Sequence, residues 1–308
     1  MQEIPHVPVL YREVFETFSN IDSGVVIDCT MGYGGHSSII LEANPNIKLV
    51  GIDQDINAIE FCEERLSKYG SRVDIRKGRF SSIIKEVIKE YGIENIKGIL
   101  ADIGVSSLQL DKKERGFSFQ SQNLDMRMDV DAPLSALNVV NEYSQIELEK
   151  ILLEYGELHN YKQIASQIVK NRPFISAKDL VEKLLIVLPK SKNIHPATLL
   201  LQAIRIEVNN ELGELESLLE SIKESQFKNT KIAIISFHSL EDRIVKNSFA
   251  SWSKSCICPQ EAMRCVCSNN HSLGKILTKK PIIAKDDELK QNPRSRSAKM
   301  RVFEMVCK

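Results

Sequence analysis

Three aspartates stand at the ends of short apolar runs in the first third of the chain. Asp28 follows Gly24-Val-Val-Ile, Asp53 follows Lys48-Leu-Val-Gly-Ile, and Asp102 follows Lys97-Gly-Ile-Leu-Ala. Asp28 leads straight into Cys29-Thr-Met-Gly32-Tyr-Gly34-Gly35-His36-Ser37. A glycine-rich turn after a strand lets a ligand approach the backbone amides at a helix N-terminus. Asp53 lies eighteen residues beyond Gly35, where a carboxylate can accept both hydroxyls of an adenosine ribose. The dinucleotide fingerprint G-x-G-x-x-G is incomplete, because Ser37 occupies the third glycine position counted from Gly32 and Gly34, and no G-x-x-x-x-G-K-[ST] phosphate loop occurs. An acidic residue ahead of the glycines suits a cation better than a pyrophosphate. The residues therefore favour the ammonium and sulfonium of S-adenosylmethionine over NAD. Asp102, at the same sheet edge, would face the transferred group; its alternative role is a helix N-cap.

These side chains need a sheet to bring them together. Buried-strand patterns at 24–28, 48–53, 72–76 and 97–102 alternate with helical patterns over 37–43, 56–69 and 82–91. That alternation predicts a doubly wound α/β domain with a parallel sheet. Strand signals then cease for more than a hundred residues. Ser144-x-x-Glu147 reads as a capping box opening a helix with Leu148, Ile151, Leu152 and Tyr155 on one face. Further helices are expected around Ile164 to Val169, from Ser176 to Pro189, from Pro196 to about Asn210, and from Glu211 to Ser225. Thr230 to Ser236 returns to strand, and Met300 to Val306 alternates like another. The expected organisation is an α/β domain of residues 1–109 and 211–308, interrupted by an all-helical insertion of residues 110–210 that would recognise the substrate.

Composition limits the field. The chain has 308 residues, 41 Lys+Arg, 41 Asp+Glu, 43% hydrophobic and 27% charged residues, which excludes disordered, fibrous and low-complexity classes. No apolar run approaches the roughly 18 residues of a membrane span. Seven cysteines are too sparse for a disulfide scaffold, and with no visible secretory signal a cytoplasmic protein is expected. Lys275 to Lys308 carries ten Lys/Arg against four Asp/Glu, a basic tail able to hold phosphates or simply a solvated surface. Cys256-x-Cys258 and Cys265-x-Cys267 place four thiols within twelve residues. Their C-x-C spacing is tighter than the usual zinc gap, so reduced surface thiols with no metal are expected and a tetrathiolate zinc site stays as the alternative. Ser236, His238, Ser239 and Asp242 lack the elbow of a hydrolase triad. Ser236 and His238 follow a strand that ends at the active-site edge, where they could touch substrate or support residues that do.

Further strings accumulate: His6-Val-Pro-Val-Leu10, Asp102-Ile-Gly-Val-Ser-Ser107, Arg115-Gly-Phe-Ser-Phe119, Leu124-Asp-Met-Arg-Met-Asp129, His195-Pro-Ala-Thr198, Gln202-Ala-Ile-Arg205-Ile, Val208-Asn209, Ser236-Phe-His-Ser-Leu-Glu-Asp-Arg243 and Asn292-Pro-Arg-Ser-Arg-Ser-Ala298. With Gly34-Gly-His36-Ser37 this ordered set, spanning nearly the whole chain, closely resembles the bacterial ribosomal RNA small subunit methyltransferase H family. The resemblance implies a Rossmann-like class I methyltransferase sheet with a helical insertion. It also implies transfer of a methyl group from S-adenosylmethionine to N4 of a cytosine in the decoding centre of 16S rRNA. The implied substrate is 16S rRNA or the small ribosomal subunit, and a homodimer stays open. Carried over by position, the cofactor contacts fall on Gly34, Gly35, His36, Asp53, Phe80, Asp102 and Gln109. Tyr33 stands where many members have a small or polar residue, implying extra bulk beside the methionine moiety. Leu108 replaces a proline before Gln109.

The amino nitrogen of cytosine is a poor nucleophile because its lone pair is delocalised into the ring. Transfer needs in-line approach and acceptors for the amino hydrogens. Asp102 is the expected catalytic acceptor. Phe117 and Phe119 are candidates to stack on the base, with core packing as the alternative. Arg115, Arg127 and Arg205 are candidate phosphate or base contacts, and His238 a further substrate contact. Gln202, Arg205 and Asn209 fall within about 60° on a helical wheel; that stripe either faces RNA or forms a hydrogen-bonded seam. Two other functions compete: a dehydrogenase, which would bind a nicotinamide cofactor, and a non-catalytic RNA-binding assembly factor on the same fold. Methylation at carbon 5 would call for a cysteine nucleophile, and none follows Asp102 before Cys256.

Overall fold

In the computed structural model, which describes residues 7–105, 109–110, 112–189, 195–259, 261 and 264–306, aliphatic runs form the strands of one mixed sheet. They are β1 (Gly24–Asp28), β2 (Ile47–Asp53), β3 (Val73–Lys77), β4 (Ile96–Asp102), β5 (Thr230–Ser236), β6 (Gly274–Ile276) and β7 (Lys299–Met305). The order across the sheet is β3-β2-β1-β4-β5-β7-β6. The first five strands in that order are parallel, and β7 runs antiparallel to both β5 and β6. The two-residue period divides the core between the two faces. Val25, Ile27, Val50, Ile52, Ile99, Ile232 and Ile234 pack on one side, while Val26, Leu49, Leu100, Ala233 and Ile235 pack on the other. Burial on both sides explains why the strands read as continuous apolar runs instead of alternating ones.

The helices α1 (Tyr11–Phe18), α2 (Gly35–Ala43), α3 (Ile56–Leu66) and α4 (Phe80–Tyr91) belong to the sheet-bearing part. Because β1 lies between β2 and β4, the connections on its two sides diverge, and a crevice opens at the carboxyl ends of β1 and β4. In an open α/β sheet that switch point is where ligands bind. This is the Rossmann-like, doubly wound arrangement. Its strands begin and end within a residue or so of the apolar runs that announced them.

Two compact units result: Met1–Gly104 with Glu214–Lys308, and Val105–Gly213. The second contains α5 (Ala136–Glu142), α6 (Gln145–Glu154), α7 (Tyr161–Lys170), α8 (Ala177–Leu184) and α9 (Thr198–Asn209). It has its own core, including Leu148, Ile151, Ile164, Ile168, Leu180, Leu200 and Ile204. The Ser144 capping box is formed, with Glu147 N–H donating to Ser144 Oγ at 3.3 Å and Ser144 N–H donating to Glu147 Oε2 at 2.7 Å. α8 stops at Leu184, well short of Pro189, and α9 starts at Thr198, two residues after Pro196. The chain continues through α10 (Glu211–Ser225), α11 (Ser239–Trp252) and α12 (Asp286–Gln291). No helix among the described residues is long and apolar enough to cross a membrane.

The sheet's antiparallel end is fixed by aromatic packing. Phe303 on β7 is fully buried, with ring centroids 5.3 Å from Phe249 and 5.5 Å from Trp252. Nearby, Arg301 donates to both carboxylate oxygens of Asp242 on α11, at 2.6 and 3.1 Å. Phe303→Ala is expected to destabilise the sheet-bearing unit by about 3–5 kcal/mol through loss of burial and the cavity left behind, as read from urea unfolding. A change below about 1 kcal/mol would mean the site collapses freely and the aromatic cluster does not anchor β7.

Candidate active site

The turn after β1 is shaped by backbone before side chains. Gly34 sits at φ +70° as the residue capping α2, and a Cβ there would meet Cys62 Sγ at 3.1 Å. Glycine satisfies both demands, a left-handed conformation and a close neighbour. Asp28, at the end of β1, is 1% exposed. Its Oδ2 accepts from Ser37 Oγ at 2.7 Å, and Oδ1 accepts from Thr30 N–H at 3.3 Å. Burial raises its pKa, opposed by Ser37 and His36. The expected role of Asp28 as a partner for a cationic ligand is thus modified. Its carboxylate ties the start of α2 to the end of β1 and sets the shape of the turn.

Asp53 is differently placed. It is half-buried at the end of β2, with Oδ2 accepting from Gly32 N–H at 2.8 Å and Oδ1 from Asp55 N–H at 2.8 Å. One contact locks the glycine turn against β2. Each oxygen keeps further acceptor capacity, since a carboxylate has about four lone-pair sites. Burial pushes its pKa up to about 6 despite those two amides. Gly78 N–H donates to Asp53 O at 2.8 Å, which brings the β3–α4 turn alongside. Phe80, the first residue of α4, is half-buried there against the apolar core.

Asp102 closes the group. Its backbone N–H donates to Thr30 Oγ1 at 2.6 Å, so β4 is tied to the glycine turn. Its Oδ1 is buried and has no hydrogen-bond partner among the described residues. Its Oδ2 lies 3.7 Å from Nδ1 of His36, a ring that is 6% exposed. His36 Nε2 is 2.8 Å from the Val9 carbonyl. A carbonyl can only accept, so Nε2 carries a hydrogen and Nδ1 is the atom turned to Asp102. Burial pushes the Asp102 pKa up to about 6; His36 opposes the shift, while Asp28 and Glu241 reinforce it. A desolvated carboxylate with an unpartnered oxygen at the switch point is poised to accept a hydrogen bond from a ligand. The helix N-cap alternative turns on Ser106 and Ser107, which lie outside the described residues.

Two residues near this group carried no functional reading in the sequence. Glu241, fully buried on α11, accepts from the N–H groups of Phe237 at 2.8 Å and His238 at 3.3 Å. His238 Nε2 is 2.9 Å from Glu241 Oε1, near enough for charge attraction but without hydrogen-bond alignment. A Cβ at Gly104 would meet the Phe237 ring at 3.1 Å, so the turn after β4 packs on that aromatic. Neither residue was legible, because both lie more than a hundred positions from Asp102 and carry no motif spacing relative to it. The Tyr33 ring packs edge-on to Phe61 at 5.1 Å, and the Tyr33 carbonyl accepts from Arg65.

The remaining expected contacts lie in the helical unit. Gln109 is buried there, and Leu108 lies outside the described residues, as do Ser106 and Ser107. Arg115 donates to the carbonyls of Arg127 at 2.9 Å and Met128 at 3.0 Å. Arg127 forks onto Asp125 with two 2.8 Å bonds and reaches the Ala132 carbonyl at 2.7 Å. Arg205 forks onto Glu211 at 2.8 and 2.9 Å. These guanidinium groups, expected as phosphate or base contacts, bond to the unit's own backbone and carboxylates. Asn209 accepts from Met128 N–H and donates to Met126 O, each at 2.8 Å, while Gln202 donates to Tyr155 O at 3.1 Å. The polar stripe is therefore a hydrogen-bonded seam inside the helical unit. Phe117 is 7% exposed and belongs to the core, whereas Phe119 is 36% exposed and stacks on His195 with centroids 4.2 Å apart.

Comparison with known proteins gives matches over nearly the whole chain. The model of the MraW methylase family matches residues 3–306. A Sulfurimonas denitrificans protein named ribosomal RNA small subunit methyltransferase H is 73% identical over 305 residues, covering 99% of both chains. Proteins of the same name from Aliarcobacter butzleri and Nitratiruptor sp. are 58% and 56% identical, covering 98% and 97% of this chain and 99% and 98% of their own.

The two raised carboxylates give a pH signature. Burial pushes both Asp53 and Asp102 up to about 6, and their ionised forms attract a cation and accept from ribose hydroxyls more strongly than the protonated forms. Affinity for S-adenosylmethionine is expected to rise between about pH 5 and pH 7 and to flatten above, with net proton release on binding near pH 6. Calorimetry in buffers of different ionisation enthalpy measures both quantities. A flat affinity with no proton release would remove these carboxylates from the contact set.

Proposed function

The chain belongs to the MraW methylase family, and from that premise we propose that it methylates N4 of a cytosine in the decoding centre of 16S rRNA. It is a methyltransferase that uses S-adenosylmethionine. Ribosomal RNA as its substrate follows from the shared name of relatives up to 73% identical over nearly the whole chain. The N4 position and the decoding centre rest on the motif resemblance and on the chemistry of Asp102. That carboxylate carries the reading: it is desolvated, has an unpartnered oxygen, and stands at the end of β4 beside the glycine turn.

The cofactor supplies an electrophilic methyl group on a sulfonium. Asp53 and the amides of the glycine turn hold its nucleoside part, and Phe80 borders the β3 side. Asp102 accepts a hydrogen from the cytosine amine, which localises the nitrogen lone pair as the bond to carbon forms. His36, held by the Val9 carbonyl, sets its Nδ1 beside the Asp102 carboxylate. Ring-carbon methylation is disfavoured by the thiols present. Burial drives the Cys29 thiol well above its ordinary range and the Cys62 thiol to about 12, so neither supplies a thiolate nucleophile near neutrality. The helical unit is the substrate-recognition part in this reading, and the exposed Phe119 ring stacked on His195 offers a face for an unpaired base.

Labelled S-adenosylmethionine, incubated with the protein and under-methylated small subunits, is expected to place label on cytosine N4, located by nucleoside mass spectrometry. Label on carbon 5 or a ribose would overturn the chemistry, and no label on any nucleoside would favour an assembly factor. Asp102→Ala is expected to lower turnover by about 10²–10⁴-fold while leaving the circular dichroism spectrum unchanged. Wild-type turnover in that variant would take Asp102 out of the mechanism.

A further inference from the structure

The loop between α11 and β6 carries four cysteines that the methyl-transfer chemistry does not use. We propose that Cys256, Cys258, Cys265 and Cys267 bind one structural zinc ion as a closed tetrathiolate site. Their four sulfurs all lie within 4.8 Å of one another. Cys256 and Cys265 are 3.6 Å apart, Cys265 and Cys267 3.6 Å, and Cys256 and Cys267 3.7 Å. With a Zn–S bond of about 2.3 Å, a tetrahedron has an S–S edge of about 3.8 Å. The sulfurs thus already outline the coordination shell. All four are free thiols rather than disulfides.

The surrounding backbone fits the same reading. Ile257 N–H donates to Cys267 Sγ and Val266 N–H to Cys258 Sγ, both at 3.4 Å. The two C-x-C segments therefore exchange amide-to-sulfur bonds, which is how second-shell donors stabilise thiolate ligands. In an extended segment residues i and i+2 share a face, so each C-x-C aims both sulfurs inward despite its short spacing. The residue between them points away: Ile257 is 63% exposed and Val266 85% exposed. A loop driven by the hydrophobic effect would bury those two aliphatic side chains and leave thiols outside. Here both aliphatic side chains stay outside, Cys265 is exposed and the other three thiols are only partly covered, so something other than apolar burial must order the loop, and four converging thiolates around a divalent ion supply that.

The position argues for a structural role. The loop is pinned at its base, where Leu273 N–H donates to Trp252 O at 2.8 Å and His271 N–H to Ser255 O at 2.9 Å. Gly274 then pairs with Met305, which itself pairs with Thr230 at the start of β5. Since the ligand crevice is at the carboxyl ends of the strands, the cysteines are at the opposite edge of the sheet. Four protein ligands also leave no open position for a reactive water.

The test uses full-length, untagged protein purified under reducing conditions and analysed by inductively coupled plasma mass spectrometry. About one equivalent of zinc per chain is expected, and cobalt substitution should give sulfur-to-cobalt charge-transfer absorption. A Cys258→Ser/Cys265→Ser variant should hold under about a tenth of an equivalent. If that variant folds poorly, titrating the wild-type protein with an organomercurial decides the question, because zinc should appear in step with thiol modification. The proposal is overturned by zinc below about a tenth of an equivalent after reconstitution with zinc chloride. It is equally overturned by disulfides among these four residues, or by undiminished zinc in the double variant.

Discussion

The dominant constraint in the sheet-bearing unit is the withdrawal of carboxylates from water at the mouth of a parallel sheet. Asp28, Asp53 and Asp102 end three adjacent strands, and each is raised in pKa mainly by burial. Concentrating like charges in a poorly solvated crevice is unfavourable unless something compensates. The structure distributes compensation unevenly. Asp28 receives a hydroxyl and an amide, Asp53 receives two amides, and the Asp102 carboxylate has, among the described residues, a histidine at 3.7 Å. Asp28 and Asp53 each accept one bond per oxygen, whereas Asp102 Oδ1 has no partner among the described residues.

The glycine turn follows from the same constraint. Its amide at Gly32 bonds to Asp53 and its Thr30 hydroxyl accepts from Asp102 N–H, so the turn links all three strand ends. Moving any one of them would disturb the others. His36 adds a long-range tie, because its ring spans from the Val9 carbonyl to Asp102.

Cationic side chains tell a complementary story. The arginines expected at an RNA surface, Arg115, Arg127 and Arg205, are committed to carbonyls and carboxylates of their own unit. The basic tail is similarly engaged in part, with Lys275 on Glu304, Arg301 on Asp242 and Asp287 on Arg12. A guanidinium fork bonded at two or three points organises irregular backbone, which a helical unit with long connections requires. Charge counting along a sequence does not distinguish that use from phosphate binding.

The sequence by itself determined the five parallel strands, the glycine turn and the carboxylates at the strand ends, because these depend on local runs of apolar residues and on spacing along one βα unit. It also determined the capping box at Ser144, which needs only two residues three apart. The structure alone decided what each polar group bonds to. Asp28 and Asp102 look alike in sequence, yet one accepts from Ser37 and Thr30 and the other has an oxygen with no partner among the described residues. Glu241 and Phe237 reach the turn after β4 only through the β4–β5 pairing, and three-residue β6 is too short to show a pattern. The pairing of Gln202 with Tyr155 and of Asn209 with Met126 and Met128 joins segments tens of residues apart. Hydrogen-bond partners and desolvation are properties of where chain segments meet, and a residue's type and neighbours in sequence do not contain them.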